Sequence, residues 1–180
     1  MLKGSEWDGE MKLILSGLAT MGGLFWYLNG GAGGPDASRE ISKPTALVYS
    51  EMAALFPSGT IERSGIGRDG THRSLKVVVK KLPDSSINYS MMLDGAEVLK
   101  MSLSFEGSAG GASTRVTGDL DVEQALVRFA ATQNGSEARH LPEFAVDLAM
   151  DKMVDQMADA LEGGQPLTKT MLFPLMNLSP

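Results

Sequence analysis

The sequence contains no cysteine and only two histidines among its 180 residues. Without cysteine, the chain forms no disulfide and offers no thiolate to a metal ion. His72 and His140 lie far apart in sequence, and neither belongs to a recognisable Ser/His/Asp arrangement. Glycine-rich phosphate-binding motifs are missing as well. We therefore expect no catalytic residue, no cofactor and no bound metal, and we favour a non-enzymatic role over an enzymatic one.

Basic residues are scarce relative to acidic ones. The chain has 16 Lys and Arg against 22 Asp and Glu, which gives a formal net charge of -6. Surfaces that bind nucleic acid need clustered Lys and Arg. The adjacent pair Lys80-Lys81 is the only one of its kind in the sequence, and its position predicts a solvated strand end. Nucleic acid is therefore not an expected partner.

One stretch has no charge at all: residues 13–28 read LILSGLATMGGLFWYL. A helix that spans a bilayer needs about 20 apolar residues, with a lower bound of about 17. Asn29 and the small residues after it bring the run close to that length, and Trp26 and Tyr27 suit the membrane interface. We expect an N-terminal segment over 1–12 and a single-pass transmembrane anchor over 13–29. The main domain is expected on the extracytoplasmic side, the usual orientation of such anchors.

Two other interpretations of this stretch stay open. A cleaved secretory signal would place the natural start at Met11, ahead of a short positive region. A buried helix of a soluble domain is disfavoured, because each of Gly17, Gly22 and Gly23 costs about 1 kcal/mol relative to alanine in a water-exposed helix.

Composition divides the remaining chain into three parts. Residues 30–40 are rich in glycine, which predicts a flexible linker. Residues 41–164 have the length of one domain. Residues 165–180 form a tail whose apolar run MLFPLM is expected to dock on a surface as an extended segment, because Pro166 and Pro174 disfavour a continuous helix.

The domain begins with a helical pattern and continues with strands. Apolar residues recur at helical spacing from Pro44 to Phe56, and Pro57 ends the pattern. Apolar and polar residues then alternate over 75–79, 87–93, 99–105 and 114–122, with a possible further strand over 61–68. Asp94-Gly95 predicts a two-residue hairpin turn. The pattern indicates an antiparallel meander with one buried face, and residues 123–140 either extend its last strand or form a short helix.

A long helix is predicted to run from about Pro142 to Gly163-Gly164. It carries two rows of residues with different character. The apolar row predicts a buried stripe and consists of Val146, Met150, Met153, Met157 and Leu161. The acidic row predicts a solvated face rather than a calcium site, since calcium sites also need loop backbone oxygens; it consists of Asp147, Asp151, Asp155 and Asp159.

Five methionines on the sheet and the long helix are the candidate ligand-binding residues: Met91, Met101, Met150, Met153 and Met157. Methionine side chains are flexible and polarisable, so they fill irregular spaces and adapt to varied partners. The same residues are equally compatible with an ordinary hydrophobic core. The sequence therefore predicts either a packed core or a pliable apolar cavity between helix and sheet.

The order of helix, antiparallel meander and long C-terminal helix resembles the START/polyketide-cyclase superfamily (SRPBCC, helix-grip). The likeness is carried by ISKPTALVYSEMAALF, LKMSLSFEG and STRVTGDLDV, and it spans residues 41–163. Thr114-Arg115-Val116 follows a glycine-rich turn, as is common in that superfamily. The resemblance implies an α+β fold that holds apolar ligands beneath the long helix. This chain departs from the pattern in leaving little room for a long first strand before the Pro44 helix.

These observations lead to one main functional hypothesis and two others. The main one is a membrane-anchored, non-catalytic domain that binds an apolar small molecule or lipid. The alternative is a structural or assembly subunit of a membrane protein complex, which would contact its partner through residues 13–29 and 165–180. A third, an enzyme of the cyclase or hydrolase type, is implied by the resemblance alone.

Overall fold

The computed structural model describes residues 37–67, 70–134 and 143–172. Within these ranges, six strands and three α-helices form an α+β fold, with a 3₁₀-helix at Lys169–Leu172. The strands are β1 (Ala37–Ile41), β2 (Gly59–Ile66), β3 (His72–Leu82), β4 (Ser86–Leu93), β5 (Ala96–Gly107) and β6 (Thr114–Val122). The helices are α1 (Thr45–Leu55), α2 (Gln124–Asn134) and α3 (Glu143–Glu162).

All strands belong to one antiparallel sheet with the order β1-β6-β5-β4-β3-β2. Strands β2 to β6 form the predicted meander, and β1 pairs with the last strand, β6. The long helix α3 packs against β1 and β6. The predicted α+β class with an antiparallel meander and a long C-terminal helix is confirmed.

The predicted membrane anchor, residues 13–29, lies outside the described residues, as does the N-terminal segment. In the described part of the chain, no helix is long and apolar enough to cross a membrane.

The predicted linker over 30–40 is wrong at its C-terminal end. Residues from Ala37 onward belong to β1, where Ala37 lies opposite Gly118 and Ile41 lies opposite Thr114. Only the two end residues of this strand are buried, and the three between them are exposed. This short strand shows no alternation of apolar and polar residues, which is the sequence signal for a strand. The prediction therefore followed the glycine-rich composition of the residues before it.

Helix α1 confirms the helix predicted between Pro44 and Phe56. Pro44 lies at its N-cap, and Val48 and Met52 face the core. At the other end, Phe56 has an extended backbone with φ -92° and ψ 143°. The cause is Pro57, because a proline disfavours the helical conformation of the residue before it.

The C-terminal end of α1 is capped by a lysine from the sheet. The Lys81 Nζ donates hydrogen bonds to the carbonyl oxygens of Ala53 at 2.8 Å and Phe56 at 2.9 Å, and it lies 3.2 Å from the Ser58 Oγ. A cation is favoured at this end of a helix because the last carbonyls lack partners. The predicted solvated strand end at Lys80-Lys81 is therefore wrong for Lys81, which is half-buried, whereas Lys80 is exposed.

Replacing Lys81 by methionine should lower the free energy of unfolding by about 2 kcal/mol, because two backbone carbonyls then lose a charged donor. Lys80→Met is the matched control, since it removes the same charge from the exposed neighbouring position. Thermal unfolding followed by circular dichroism would measure both. Equal melting temperatures for the two variants would contradict this role of Lys81.

The β4–β5 hairpin turns at Asp94-Gly95, as predicted. Both residues have positive φ, 53° and 86°, which is the combination that a type I′ turn requires. The Asp94 carboxylate accepts hydrogen bonds from the Arg73 Nη1 and the Ser74 backbone N–H, each at 2.8 Å. The hydrogen bond from Arg73, followed by that from Ser74, lowers the pKa of Asp94. These hydrogen bonds link the β4–β5 turn to the start of β3.

Helix α2 settles the ambiguity over Gln124–Asn134, because the chain becomes helical shortly after β6, whereas residues 135–140 lie outside the described residues. Helix α3 ends as predicted. The Gly163 N–H donates to the Asp159 carbonyl at 2.9 Å, the Gln165 N–H donates to the Ala160 carbonyl at 2.8 Å, and Gly164 has φ +67°. This is a Schellman-type ending, which favours glycine at the residue with positive φ.

The two rows predicted on α3 lie on different faces. All five residues of the apolar row are buried. In the acidic row, Asp155 and Asp159 are exposed and lie 3.7 and 3.4 Å from the Arg39 guanidinium on β1. Burial, followed by the charges of Asp155 and Asp147, raises the pKa of Asp151. The predicted solvated face is therefore confirmed for Asp155 and Asp159, which also help to position β1, whereas Asp147 and Asp151 are half-buried.

The start of the C-terminal tail packs on the domain itself. Leu172 is buried, and Leu167 and Met171 pack against the same core. The predicted extended conformation is wrong over Lys169–Leu172, which form a 3₁₀ turn. In this turn the Met171 N–H donates to the Thr168 carbonyl at 2.9 Å, so a backbone donor beside the core has a partner. Phe173, Leu175 and Met176 lie outside the described residues.

Candidate functional site

The candidate site is the interior between α3 and the inner face of the sheet. Alternation along β4 directs Ile87, Tyr89, Met91 and Leu93 inward, and all four are buried. Helix α1 lies against the β5 side of this interior, where Tyr49 meets Phe105 edge-on at 5.4 Å. Helix α2 also packs near β5, and its Phe129 ring lies 5.9 Å from the Arg73 guanidinium. Three helices therefore surround one apolar face of the sheet.

The five predicted methionines all lie in this interior and are called the methionine cluster below. Their exposed fractions are 2% for Met91, 1% for Met101, 2% for Met150, 3% for Met153 and 0% for Met157. All five belong to the same hydrophobic core. The structure thus brings together residues from β4, β5 and α3 that are up to 66 positions apart in sequence. Their role towards a ligand remains a prediction.

A local irregularity separates Met91 from its neighbour. The pairing of β4 with β5 shifts between Met91 and Met92, so that Val98 has no direct partner. Both Val98 and Leu99 are buried at this bulge, although they are consecutive. Met92 is only half-buried. The sheet therefore presents one methionine to the interior and the next to its outer face.

Gly118 on β6 lets α3 approach the sheet closely. A Cβ atom at this position would clash with the Met150 methyl group and would lie 2.9 Å from the Val154 Cγ2. Gly118 lies opposite Ala37 on β1, so small residues face α3 on both strands. A glycine inside a strand often marks such a close approach. The Met150 side chain therefore fills the volume that a larger residue on β6 would occupy.

Tyr89 brings a polar group into this apolar surrounding. Its side chain is 8% exposed, and its register partners are Val79 on β3 and Met101 on β5. Its ring lies 6.5 Å from that of Phe56, measured between centroids. Burial raises the pKa of Tyr89 to about 12.

Thr114 is the other buried polar side chain, and its hydroxyl is fully engaged. It donates to the Lys43 carbonyl at 2.8 Å and lies 3.2 Å from the Thr45 Oγ1. These bonds join β6 to the connection between β1 and α1. Thr114 therefore has a structural function, which the Thr-Arg-Val pattern did not reveal.

The interior lies beside the edge strand β2, which is exposed to solvent. Residues of β2 are exposed along almost its whole length, including those that lie in register with buried residues of β3. Ile61 lies opposite the buried Val77, yet it is 39% exposed. Arg63 lies opposite the buried Leu75 and is also exposed. The inner face of β2 is thus accessible to solvent directly beside the core.

The described residues offer little for catalysis or metal binding. They contain no group of three or more His, Asp or Glu residues placed to hold a metal ion. His72 is exposed at the start of β3, and His140 lies outside the described residues. Among the residues whose burial is described, no carboxylate, amine or imidazole is buried. The arrangement can exclude water and bind apolar groups.

The buried phenol of Tyr89 predicts a specific dependence of stability on pH. In the unfolded chain the pKa returns to its ordinary value of 10.0, whereas it is about 12 in the folded protein. The neutral phenol therefore contributes stability that is complete below pH 10 and is lost as the pH rises through about 12. Two pKa units correspond to about 3 kcal/mol.

Tyr89→Phe should lack this decline in stability at high pH. Chemical denaturation of the wild type and of the variant at pH 9, 10.5 and 12 would measure it. Parallel declines would contradict the burial of the phenol.

No protein-family model matches this chain, and no curated protein matches it. Among solved structures, the chain is similar to a protein of Deinococcus radiodurans, with 14% identity and a TM-score of 0.41, covering 72% of this chain and 97% of the other. It is also similar to the di-domain aromatase/cyclase (ARO/CYC) StfQ from the steffimycin biosynthetic pathway, with 16% identity and a TM-score of 0.40. That match covers 72% of this chain but only 44% of StfQ. A third similar structure, from Rhizobium leguminosarum, has 18% identity and a TM-score of 0.28, with coverage of 47% and 74%. At these values the likeness does not extend to function.

Proposed function

We propose that this protein is a helix-grip-like domain that binds an apolar small molecule or lipid without catalysis. The observation that carries the proposal is the methionine cluster, which β4, β5 and α3 contribute jointly and which is buried in one core. Methionine has three rotatable side-chain bonds, so a core rich in methionine can reshape around a guest more readily than one built from branched residues. The exposed inner face of β2 provides a route to this interior.

The lack of a buried carboxylate, amine or imidazole among the described residues favours binding over catalysis. General acid–base chemistry needs a titratable group within hydrogen-bond reach of the reacting atom. The polar side-chain groups of the described interior include the hydroxyls of Thr114 and Tyr89 and the buried Nε of Arg73, and the Thr114 hydroxyl is already bonded. The proposal therefore assigns to the site recognition of a mostly apolar molecule.

Methyl NMR of methionine provides a direct test. The full chain, labelled with ¹³C at the methionine methyl groups, would be titrated with 2-ethylnaphthalene and separately with monoolein. We expect saturable shifts of the Met91, Met101, Met150, Met153 and Met157 signals. Met92 is the internal control, because it neighbours Met91 in sequence but is directed to the outer face of the sheet.

The outcomes separate the functional hypotheses. Saturable shifts of the cluster with an unchanged Met92 signal would support a binding site. If neither probe shifts the cluster, its methionines form a packed core and the ligand-binding proposal is wrong. The assembly-subunit alternative would then gain, although Leu167, Met171 and Leu172 of its predicted contact tail already pack on this domain.

Membrane attachment through residues 13–29 is the second part of the proposal, and it is supported by the uncharged run in the sequence. The full chain should stay in the membrane pellet after alkaline carbonate extraction, whereas a variant lacking residues 13–29 should be released. Release of the full chain would contradict an anchor. Protease added to intact cells or spheroplasts would then show on which side of the membrane the domain lies.

A further inference from the structure

We infer that two copies of this chain pair through strand β2, so that their sheets join edge to edge into one continuous antiparallel sheet. This inference goes beyond the proposed function and does not depend on ligand binding. It assigns the open edge of the sheet to a second copy of the same chain.

Strand β2 leaves one edge of the described sheet open, because it has a neighbour, β3, on one side only. The other edge strand, β1, has five residues and packs against α3. Edge strands commonly avoid other chains by being very short, by bulging, or by carrying proline or charged residues. β2 has eight residues, pairs with β3 without a register shift and contains no proline. Its two charged residues, Glu62 and Arg63, therefore decide which strands can pair with it.

Hydrogen bonds near the start of β3 show which backbone groups of β2 point outward. The Gly67 N–H donates to the Thr71 carbonyl, and the Asp94 N–H donates to the Ser74 carbonyl, each at 2.8 Å. Bonded pairs recur at every second residue of an antiparallel ladder. The odd-numbered residues of β2 and β3 therefore bond to each other, and the even-numbered residues of β3 bond to β4. The residues of β2 whose N–H and C=O groups point away from β3 are Thr60, Glu62, Ser64 and Ile66.

The charges of β2 limit the registers in which two copies can pair. In an antiparallel pair with two-fold symmetry, one residue lies opposite its own copy, because residues that lie opposite each other share a face of the sheet. An axis at Glu62 or at Arg63 would set like charges directly opposite each other, which is unfavourable. An axis at Ile61 sets two isoleucines opposite each other. It also places Glu62 opposite Thr60 and Arg63 opposite Gly59 of the second copy, so no like charges lie directly opposite each other.

The isoleucine pair favours this register over one centred on Ser64. Ile61 is 39% exposed, although it lies on the inner face of the sheet opposite the buried Val77. Two isoleucines that lie opposite each other would continue the apolar inner face from one sheet to the next and would remove apolar surface from water. An axis at Ser64 would instead set Ile61 opposite a glycine and leave it exposed. The pairing is therefore centred on Ile61.

Cysteine cross-linking tests the pairing residue by residue, because the chain contains no cysteine. Since Ile61 is not among the residues that bond outward, its Cα should lie about 4.5 Å from that of its copy, within the range of a disulfide. The full chain carrying Ile61→Cys, kept in a mild detergent and gently oxidised, should form a covalent dimer with twice the chain mass of 19.1 kDa.

Two control variants distinguish pairing from chance collision. Arg63→Cys lies on the same strand and face, but this register sets it about 13 Å along the strand from its own copy. Leu47→Cys lies on α1 at a position with a similar exposure, 43%. We expect Ile61→Cys to form the dimer at least about tenfold faster than either control, because only its two sulfur atoms can meet without movement of the backbone.

A proline on the same strand provides a second readout. Thr60→Pro removes an N–H that points away from β3 and that this register bonds to Glu62 of the second copy. Combined with Ile61→Cys, it should slow the formation of the dimer, whereas Thr60→Val, which keeps the N–H, should not. Thr60→Pro should stay folded, because it breaks no hydrogen bond to β3, and its melting temperature checks this.

The outcomes decide the inference without reference to the methionine signals, so it can fail while the proposed function stands. Fastest cross-linking of Ile61→Cys, slowed by Thr60→Pro, would support it. Equal rates for the three cysteine variants, or the fastest rate for Arg63→Cys, would overturn it. So would cross-linking of Ile61→Cys to a different protein without the dimer. If Thr60→Pro failed to fold, the comparison of the three cysteine variants would decide alone.

Discussion

Replacing Gly118 by valine is expected to lower the free energy of unfolding by about 3 kcal/mol, because overpacking a dense core forces side chains and backbone to move. Even a single added Cβ would clash with the Met150 methyl group and lie 2.9 Å from the Val154 Cγ2. The methyl group can swing away, but Val154 is β-branched and has few alternative rotamers. Since domains are stable by about 5–15 kcal/mol, this single change would remove a large part of the total.

Two further variants make this prediction specific. Gly110→Val is the control, because a Cβ at Gly110 has no neighbour within 4 Å and the residue needs no positive φ. Combining Gly118→Val with Met150→Ala should cost less than the sum of the two single changes, because the shortened side chain vacates the volume that valine needs. Thermal unfolding of the wild type, Gly118→Val, Met150→Ala and the double variant would measure the coupling. Additive effects would show that α3 does not press on β6 at this point.

Replacing Met157 by alanine is expected to cost about 3 kcal/mol, the middle of the range for truncating a fully buried methionine. Met157 is 0% exposed and lies on the buried stripe of α3. Alanine has the higher helix propensity, so the loss must come from packing rather than from the helix itself. Met157→Leu, which conserves most of the volume, should cost less than about 1.5 kcal/mol.

The neighbouring Gln156 supplies the control on the same helix. Gln156 is exposed, and Gln156→Ala should leave the melting temperature almost unchanged. If Met157→Ala were equally harmless, the methionine cluster would not stabilise the fold, and its residues would already border on empty space.

Much of the fold was predictable because local patterns determine it. Apolar and polar residues alternate along β4, so Tyr89 and Met91 were expected on its buried face. Asp94-Gly95 specified a turn that needs two positive φ values, and Gly164 follows α3 where a helix end favours glycine. In each case the sequence signal and the structural feature lie within a few residues of each other.

The features that were missed depend on partners far away in sequence. Lys81 is half-buried against the end of α1, about 25 residues earlier in the chain. In the sequence, Gly118 indicates only a weak point in a strand. The fold shows that it allows Met150 and Val154 of α3 to approach β6 closely. The candidate site was therefore predictable as a set of methionines, whereas the close approach of α3 to β6 at Gly118 was not.

The pairing of β1 with β6 sets an order on the folding of this domain. Ala37 and Gly118 are neighbours in the sheet but are separated by about 80 residues in the chain. At a synthesis rate of about 5–20 residues per second, the first strand waits roughly 4–16 s for its partner to be made. The meander of β2 to β5 needs only local contacts and can form during that interval, whereas non-local pairing is slow because a long loop must close first. We therefore expect the residues made first in this domain to be among the last to pair, and α3, which packs on both strands, to complete its contacts after them.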